Sequence, residues 1–334
     1  MPYRILGKDL KVSAVGLGCM GFSHGYGAPM EEKEAIQLLQ KAVEIGYTFF
    51  DTAEIYGPKN DVHANERLVG KALCPYRSQV KIATKFGIHF DVSSGEIPFP
   101  IVPDSRPERI RQSVEGSLKR LQTDHIDLYF QHRIDPEIPP EEVAGVMSDL
   151  IREGKIIHWG ISETNESYLR RAHAVCPVTA VENRYSMMAR QYESLFPVLE
   201  ELGVGFVAFS PMANGFLTAK YGKGIHFDKQ YDYRVFMPQF TDEAIDKNRI
   251  LLEQIQQVGK RKNATPAQIS MAWMLCKKPW IVPIPGTRKE ERIKENIGSA
   301  KVVLTEEEVQ SLDAALDKIE MSAVFGGTRV EKNK

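Results

Sequence analysis

The chain has 334 residues, of which 43% are hydrophobic and 26% charged, and its formal net charge is −1. These are ordinary values for a globular protein, and no stretch approaches the roughly eighteen uninterrupted apolar residues that a membrane helix requires. The balanced charge and the absence of a basic block disfavour nucleic acids and anionic membranes as partners. A small molecule is therefore the expected ligand.

The amino terminus and the cysteines bear on the cellular compartment. The first residues, MPYRILGKDLKVS, have no basic region followed by an apolar one, so we expect no secretory signal and a cytoplasmic location. The four cysteines lack both Cys-x-x-Cys spacing and histidines at metal-binding spacing, which argues against a disulfide framework and a zinc site. Reduced packing residues are predicted at Cys19, Cys74, Cys176 and Cys276.

From about residue 13 the chain repeats one pattern eight times: a short apolar run, a polar or glycine-rich break, and an amphipathic helical stretch. This alternation predicts buried parallel strands, and eight units predict closure into a (β/α)8 TIM barrel. The predicted strands are 13–18, 47–52, 80–86, 126–132, 156–162, 178–186, 204–211 and 280–286. The clearest predicted helices are 31–46, 106–121, 140–153, 192–202 and 266–276.

Several segments lie outside this repeat. Residues 2–12 are predicted to form a hairpin that caps the barrel bottom, and 305–319 a further helix opening with the capping-box sequence Thr-Glu-Glu-Glu. No Pro/Ser-rich linker separates complete units, so residues 1–334 are predicted to be a single domain. The irregular stretch 213–241 is either a lid over a ligand or an insertion without function. Residues 326–334 are expected to be disordered.

Residues 16–21 read Gly-Leu-Gly-Cys-Met-Gly and match the glycine fingerprint of Rossmann dinucleotide-binding units. In such units the third glycine opens a helix at once, and an acidic residue follows about twenty residues later at a strand end. Here the first helix starts near Met30, and the position for the acidic residue falls inside that helix. We therefore interpret the glycines as room for a close backbone approach at the barrel mouth.

Polar residues end three consecutive predicted strands. Asp51 ends the second strand and is followed five residues later by Tyr56, Lys85 ends the third, and His132 ends the fourth. The C-terminal strand ends form the functional face of such a barrel, so the four side chains are expected to meet at one mouth. Each taken singly has an ordinary structural explanation. Their conjunction favours a catalytic site.

The chemistry that this set supports is proton transfer to or from an oxygen atom. Tyr56 would be the acid, with its intrinsic pKa of about 10 lowered by the Lys85 ammonium. Asp51 would hold that ammonium, and His132 would orient a carbonyl oxygen.

With these residues in place, the chain resembles the aldo-keto reductase family from Tyr3 to about Leu316. The resemblance is carried by GLGCMGF (16–22), FFDTAEIYG (49–57), NERLVGKAL (65–73), IATKFG (82–87), RLQTDHIDLYFQHR (120–133), GKIIHWGISE (154–163), NRYSM (183–187), AFSPMANGFLT (208–218) and PIPGTRKEERIKEN (283–296). The family's catalytic tetrad matches this chain without substitution at Asp51, Tyr56, Lys85 and His132. The resemblance implies NADPH binding, no metal, and hydride transfer to an aldehyde or ketone with the tyrosine as general acid.

The resemblance also implies a cofactor-binding set. Ser162 would bind the nicotinamide carboxamide, and Phe209 would stack on the nicotinamide ring. Three residues would border the pyrophosphate, namely Ser210, Met212 and Asn214. The matching motif after the eighth strand adds Gly286 and Thr287 to the set.

The adenosine end of the cofactor can be argued from physical chemistry as well. Arg288 lies in the loop after the eighth strand, and Arg292 lies in the first turn of a helix whose amides favour an anion. Two arginine forks suit a 2′-phosphate, and Asn296 could reach the adenine. The alternative is a solvated helix face on which glutamates pair with these cations, namely Glu290, Glu291 and Glu295.

Two positions depart from the family pattern. Many members follow the carboxamide-binding serine with Asn and carry Gln three residues before the strand-six tyrosine, where this chain has Glu163 and Glu182. An ionised carboxylate can only accept hydrogen bonds, and it would favour the cationic, oxidised cofactor. There are two alternatives. Burial raises the pKa of one of the two glutamates so that it is protonated, or Arg184, two residues after Glu182, neutralises that glutamate.

Two other functions fit the same fold. Potassium-channel β-subunits share the fold and cofactor and act as redox-linked regulatory partners, but the intact tetrad, and His132 in particular, favours an enzyme. A barrel aldolase with Lys85 as a Schiff base lacks a phosphate-binding glycine loop other than the cofactor-like one.

The substrate depends on the mouth loops 22–30, 88–106 and 213–241. Their aromatic residues, which hint at tolerance for apolar carbonyl compounds, are Phe22, Tyr26, Phe90 and Phe99. The pattern of residues predicts neither the individual substrate nor the oligomeric state.

Overall fold

The computed structural model describes residues 2–91, 93–95 and 100–326. Its strands are β1 (Tyr3–Leu6), β2 (Leu10–Ser13), β3 (Leu17–Gly18), β4 (Phe49–Asp51), β5 (Lys81–Phe86), β6 (Ile88–Phe90), β7 (Ile101–Pro103), β8 (Ile126–Gln131), β9 (Ile156–Ser162), β10 (Ala180–Arg184), β11 (Gly205–Phe209) and β12 (Ile281–Pro283). Its helices are α1 (Glu32–Ile45), α2 (Ala64–Leu73), α3 (Pro107–Leu121), α4 (Pro140–Arg152), α5 (Glu166–Val175), α6 (Phe196–Leu202), α7 (Asp242–Lys247), α8 (Arg249–Lys262), α9 (Pro266–Lys277), α10 (Glu290–Gly298) and α11 (Glu306–Leu316). Phe99 and the predicted tail beyond Gly326 lie outside the described residues.

Eight parallel strands form one curled sheet in the order β3, β4, β5, β8, β9, β10, β11, β12. The first and last strands meet through a parallel bridge between Gly18 and Gly286, and Gly16 N donates a hydrogen bond to Pro283 O at 2.9 Å. A Cβ on Gly18 would lie 2.8 Å from the Ile284 carbonyl oxygen. The predicted (β/α)8 barrel is confirmed, and the interpretation of the glycines as room for a close backbone approach is confirmed at Gly18.

The amino-terminal hairpin closes the bottom of the barrel as predicted. β1 and β2 pair antiparallel, and Leu6, Leu10 and Val12 join the apolar cluster inside the barrel. The Arg4 guanidinium donates to the backbone carbonyls of Lys278 and Ile281 at 2.5 and 2.9 Å and also to that of Leu275. These contacts attach the hairpin to α9 and β12.

The caps expected for the first helix and for the additional carboxy-terminal helix are present. α1 ends at Gly46, which adopts φ 112° and so takes the left-handed conformation that glycine permits. The further carboxy-terminal helix is α11, and the capping box is present because Thr305 Oγ1 accepts from Glu308 N and Glu308 Oε2 accepts from Thr305 N.

Three details differ from the expectations. A 3-10 turn occupies Gln191–Leu195, so α6 begins later than the predicted 192, and residues 88–103 contain the short β6–β7 hairpin where only a loop was expected. Cys74 and Cys276 are exposed, so packing roles were wrongly assigned to them, whereas Cys19 and Cys176 are buried. Among the described residues, the helices include none with the length and apolar character needed to cross a membrane.

Candidate active site

A buried ion pair lies at the carboxyl ends of β4 and β5. The Lys85 ammonium donates to both carboxylate oxygens of Asp51 at 2.5 and 2.7 Å and to Thr52 O at 2.9 Å. The Lys85 side chain has 0% of its surface exposed. Burial lowers the pKa of Lys85, but attraction to Asp51 and Glu182 outweighs it, so the net pKa is raised and the lysine stays charged.

Tyr56 and His132 complete the group of four predicted residues. Lys85 Nζ lies 5.1 Å from the centroid of the Tyr56 ring, and the Tyr56 and His132 rings meet edge to face at 5.6 Å. Burial, together with repulsion from the charges of Arg133 and Lys85, holds the pKa of His132 well below 6.5. The imidazole is therefore neutral at physiological pH.

The expected lowering of the Tyr56 pKa is wrong as a net effect. Burial raises the pKa of the phenol above its ordinary value of 10.0, and the carboxylates of Asp51 and Glu182 raise it further. The Lys85 ammonium does lower this pKa, as its position requires, but it offsets only part of the desolvation. Besides Asp51, a second carboxylate lies near Lys85, and its position could not be predicted from sequence spacing.

That second carboxylate is Glu182, whose side chain points into the barrel mouth from β10. Its Oε1 lies 3.3 Å from Lys85 Nζ, and its Oε2 is buried with no donor among the described residues. Burial and the neighbouring Asp51 raise the pKa of Glu182 to about 8, and burial likewise raises the pKa of Asp51. Two carboxyl groups thus share one ammonium.

The other departure from the family pattern, Glu163, forms ion pairs. Arg184 Nη2 donates to Glu163 Oε1 at 2.9 Å, and Arg133 Nε lies 3.4 Å from Glu163 Oε2. Arg133 Nη1 also donates to Ser162 Oγ at 3.2 Å. The hypothesis that Arg184 neutralises Glu182 is therefore wrong, because this arginine crosses to β9.

The segment after β11 lies close to the loop after β3. Asn214 Nδ2 donates to the Tyr26 hydroxyl at 2.7 Å and to Ser210 Oγ at 3.4 Å. Ser210 and Asn214 adopt φ values of 50° and 60°, as does Glu163 at 51°. Left-handed backbone in residues other than glycine is costly and clusters at functional sites. Met212 packs against the core.

Aromatic side chains from three loops form one rim of the mouth. The His24 ring stacks on Phe90 at 5.9 Å and meets Tyr233 edge to face at 5.0 Å. Its Nδ1 lies 3.1 Å from the carbonyl oxygen of Gly57, the residue after Tyr56. His24 has no signal in the sequence pattern, because only the fold brings these loops together.

The residues predicted at the adenosine end lie in the loop before α10 and along that helix. Arg288 donates to the backbone carbonyls of Ala28 at 2.6 Å and Tyr26 at 3.0 Å, and Arg292 pairs with Glu295. Asn296 is buried, and its Nδ2 has no acceptor among the described residues. The remaining predicted residues of this loop make backbone-linked contacts, namely Gly286 to Gly18 and Thr287 Oγ1 to Lys289 N at 3.2 Å.

Phe209, expected to stack on the nicotinamide, ends β11 and is only partly buried. The Arg184 guanidinium lies 5.5 Å from its ring centroid, which places the Glu163 ion pair beside this aromatic face. Ser162 and Phe209 thus end β9 and β11, and Glu182 lies beside Ser162 on β10, the strand between them.

Comparison with known proteins agrees with this geometry. Residues 14–317 match the model of the aldo/keto reductase family. This chain belongs to that family. It is 39% identical over 330 residues to "Probable aldo-keto reductase 1" of Glycine max, an alignment that covers 98% of this chain and 91% of the relative.

Solved structures of other aldo-keto reductases share the fold. The glycerol dehydrogenase of Gluconobacter oxydans superposes with a TM-score of 0.84 at 26% identity and covers 98% of each chain. An aldo-keto reductase from Bacillus halodurans in its holo form superposes with a TM-score of 0.75 at 27% identity and covers 98% of this chain and 99% of that one. Membership of the family implies an oxidoreductase acting on small molecules, and these enzymes generally use nicotinamide cofactors.

Proposed function

We propose that this aldo-keto reductase reduces an aldehyde or ketone with NADPH and that Tyr56 is the general acid. The observation that carries the proposal is the buried ion pair of Lys85 and Asp51 beneath the Tyr56 ring, with a neutral His132 against the same ring. A buried cation held beside a phenol lowers the cost of forming a phenolate, which is what proton donation requires.

Each residue of this group has a distinct role. A bound nicotinamide cofactor supplies a hydride for the carbonyl carbon, and Tyr56 donates its hydroxyl proton to the carbonyl oxygen. The Lys85 ammonium stabilises the negative charge left on the Tyr56 oxygen, and Asp51 holds that ammonium in place with its two hydrogen bonds. A neutral His132 orients the carbonyl oxygen without competing as an acid.

Unsatisfied polar atoms support the fit of a nicotinamide dinucleotide. Glu182 Oε2 is a buried acceptor without a donor, and Asn296 Nδ2 is a buried donor without an acceptor, among the described residues. A carboxamide NH₂ and an adenine ring nitrogen would satisfy them. Arg288 and Arg292 would hold a 2′-phosphate, which requires each guanidinium to share or exchange its present partners.

The two alternative functions make different demands on Lys85 and on turnover. A Schiff-base aldolase needs an uncharged, accessible amine, whereas Lys85 is fully buried between two carboxyl groups that raise its pKa. A regulatory subunit of the potassium-channel β-subunit type needs bound cofactor but little turnover. The burial of Lys85 favours the enzyme over the aldolase, and the intact group of Asp51, Tyr56, Lys85 and His132 favours it over the regulatory subunit.

The test is NADPH oxidation by the purified protein against a panel of aldehydes, ketones and sugars. We expect turnover, with planar aromatic aldehydes preferred over sugars because His24, Phe90 and Tyr233 form an aromatic rim. Tight cofactor binding without turnover on any substrate would favour the regulatory alternative. Covalent trapping of a carbonyl substrate by borohydride would favour the aldolase.

A further inference from the structure

We propose that Asp51 and Glu182 form a carboxyl pair that holds one proton beside Lys85, and that binding of the oxidised, positively charged cofactor releases this proton. The proposal rests on the proposed function. It goes beyond it by giving Glu182 a positioning role in proton control that an amide at this place cannot have.

The geometry of the pair comes first. Lys85 Nζ donates to Asp51 from within 2.7 Å and lies 3.3 Å from Glu182 Oε1, so both carboxyl groups converge on one ammonium. The side chains of Lys85, Asp51 and Glu182 are 0%, 4% and 3% exposed. Water therefore cannot screen a surplus charge in this group.

Charge balance then favours one proton on the pair. With both carboxyl groups ionised, the three side chains carry a net charge of −1 in a buried site; with one protonated, the net charge is zero. Two carboxylates that converge on one ammonium repel each other, which disfavours double ionisation, and the two groups titrate as a unit. A protonated Glu182 can also donate a hydrogen bond to Asp51. Burial raises the pKa of both carboxyl groups.

The surrounding charges leave Lys85 as the nearest compensating cation. Arg184 and Arg133 are engaged by Glu163, so neither neutralises the pair. The other titratable groups that face the pair are Tyr56 after β4, the buried thiol of Cys19 after β3, and His132 after β8. These three groups are neutral at pH 7, because burial raises the pKa of the phenol and the thiol and lowers that of the imidazole.

An added positive charge changes this balance. In the sheet register Glu182 pairs with Ser162 on β9 and with Val207 on β11. Phe209 follows Val207 by two residues on β11. A cationic nicotinamide held by Ser162 and Phe209 would face Glu182 Oε2 and compensate the second carboxylate. The proton then leaves for solvent. The neutral ring of the reduced cofactor brings no such charge and leaves the proton in place.

The experiment measures proton release by calorimetry in buffers of different ionisation enthalpy, from pH 6 to 9.5, on binding of NADP⁺ and of NADPH. The 2′-phosphate titrates with a pKa near 6 in both cofactors, so the difference between them removes its contribution. We expect NADP⁺ to release up to one proton more than NADPH in the parent protein. We also expect the Kd ratio of NADP⁺ to NADPH to fall on the order of tenfold as pH rises across this range.

Two variants test whether the released proton comes from Glu182. Glu182→Gln keeps the side-chain shape and should abolish both the differential release and the pH dependence of the Kd ratio. Glu54→Gln removes another buried carboxyl with a raised pKa, which accepts from Gly87 N rather than facing Lys85, and should keep both effects. Thermal unfolding of each variant checks that it folds.

The outcomes separate the two proposals. Equal proton release by the two cofactors in the parent, or a difference that survives Glu182→Gln, would overturn the proton-holding pair while leaving the reductase function standing. Failure of the parent to bind either cofactor would overturn the reductase function and this inference with it.

Discussion

Lys85 carries one positive charge in a buried site that contains two carboxyl groups, and most of the chemistry at the residue scale follows from this ratio. The ammonium offsets part of the desolvation of Tyr56, stays charged itself, and adds to the burial and the Arg133 charge that lower the pKa of His132. Removing any member changes the protonation of the others, because low exposure leaves little solvent screening.

Tyr56→Phe removes only the acidic hydroxyl. We expect NADPH affinity to change little and kcat to fall by about 10²- to 10⁴-fold, the usual contribution of a general acid. Steady-state kinetics and a cofactor fluorescence titration check both parts. Tyr233→Phe is the matched control, since that hydroxyl belongs to the aromatic rim. Near-normal kcat in Tyr56→Phe would contradict the assignment of the acid.

Lys85→Met leaves Asp51 and Glu182 buried without their cation. Both carboxyls already have raised pKa values in the folded protein, and losing the ammonium raises them further. The folded variant then binds more protons than the unfolded chain, so its stability falls as pH rises above about 4. We expect a small deficit near pH 5 that grows to about 3–5 kcal/mol near pH 8.

Chemical denaturation at several pH values checks this expectation. Lys81→Met is the control on the same strand, because Lys81 pairs with Asp127 but is 43% exposed and should cost less than about 1 kcal/mol at any pH. A deficit in Lys85→Met that does not depend on pH would show that packing, and not charge, dominates the effect. Any residual turnover should show its Tyr56-linked pKa shifted upward.

At the scale of elements, the loop before α10 is joined to loop 22–30, which in turn is joined to segment 213–241. Arg288 binds two carbonyls of loop 22–30, and this loop pairs with segment 213–241 through Gly27 N to Tyr231 O at 3.0 Å and Tyr233 N to Gly25 O at 2.9 Å. The segment is therefore attached to loop 22–30 by backbone hydrogen bonds. Its role as a lid stays a prediction.

The preference for NADPH over NADH tests the roles of Arg288 and Arg292. We expect NADPH to bind more tightly than NADH by about 1–3 kcal/mol per effective contact, with the gap shrinking as salt increases. Arg292→Gln should reduce this preference without changing NADH affinity. Arg288→Gln should weaken both cofactors, because it also releases loop 22–30.

Lys294→Gln is the control for that test, since Lys294 pairs with Glu290 on the exposed face of the same helix. Dissociation constants for both cofactors at low and high salt give the comparison. Equal affinity of the parent for NADPH and NADH at low salt would mean that the arginines serve only the loop and the helix surface.

At the scale of the whole molecule, the barrel is closed at its bottom by the hairpin and open at its top. Apolar residues of β1 and β2 extend the cluster inside the barrel, and Arg4 ties them to three carbonyls at the end of α9 and in β12. This attachment lies at the opposite end of the barrel from Lys85. It should therefore affect stability more than chemistry.

Arg4→Ala removes these hydrogen bonds from a partly buried site. We expect a loss of about 2–3 kcal/mol in the free energy of unfolding, with kcat unchanged for the folded fraction. Denaturant unfolding and kinetics on the same preparation check this. Lys11→Ala on the same hairpin, where the ammonium lies over Tyr3 on an exposed surface, should cost well under 1 kcal/mol. Comparable losses in both variants would contradict a specific role for Arg4.

The sequence by itself determined the barrel, the hairpin and the last helix. It also determined that Asp51, Tyr56, Lys85 and His132 lie at the same end of the barrel. Periodicity and helix caps are local properties of the chain, and strand ends in a parallel barrel share one face, so spacing along the chain is sufficient for these conclusions.

Only the tertiary structure decided how the charges pair. Glu182 faces Lys85, Arg184 crosses to Glu163, and Arg288 binds the loop after β3, all through contacts between strands or loops far apart in sequence. The net rise in the Tyr56 pKa also depends on the tertiary structure. Spacing places a cation beside the phenol, but the desolvation that outweighs it depends on how completely the assembled barrel excludes water.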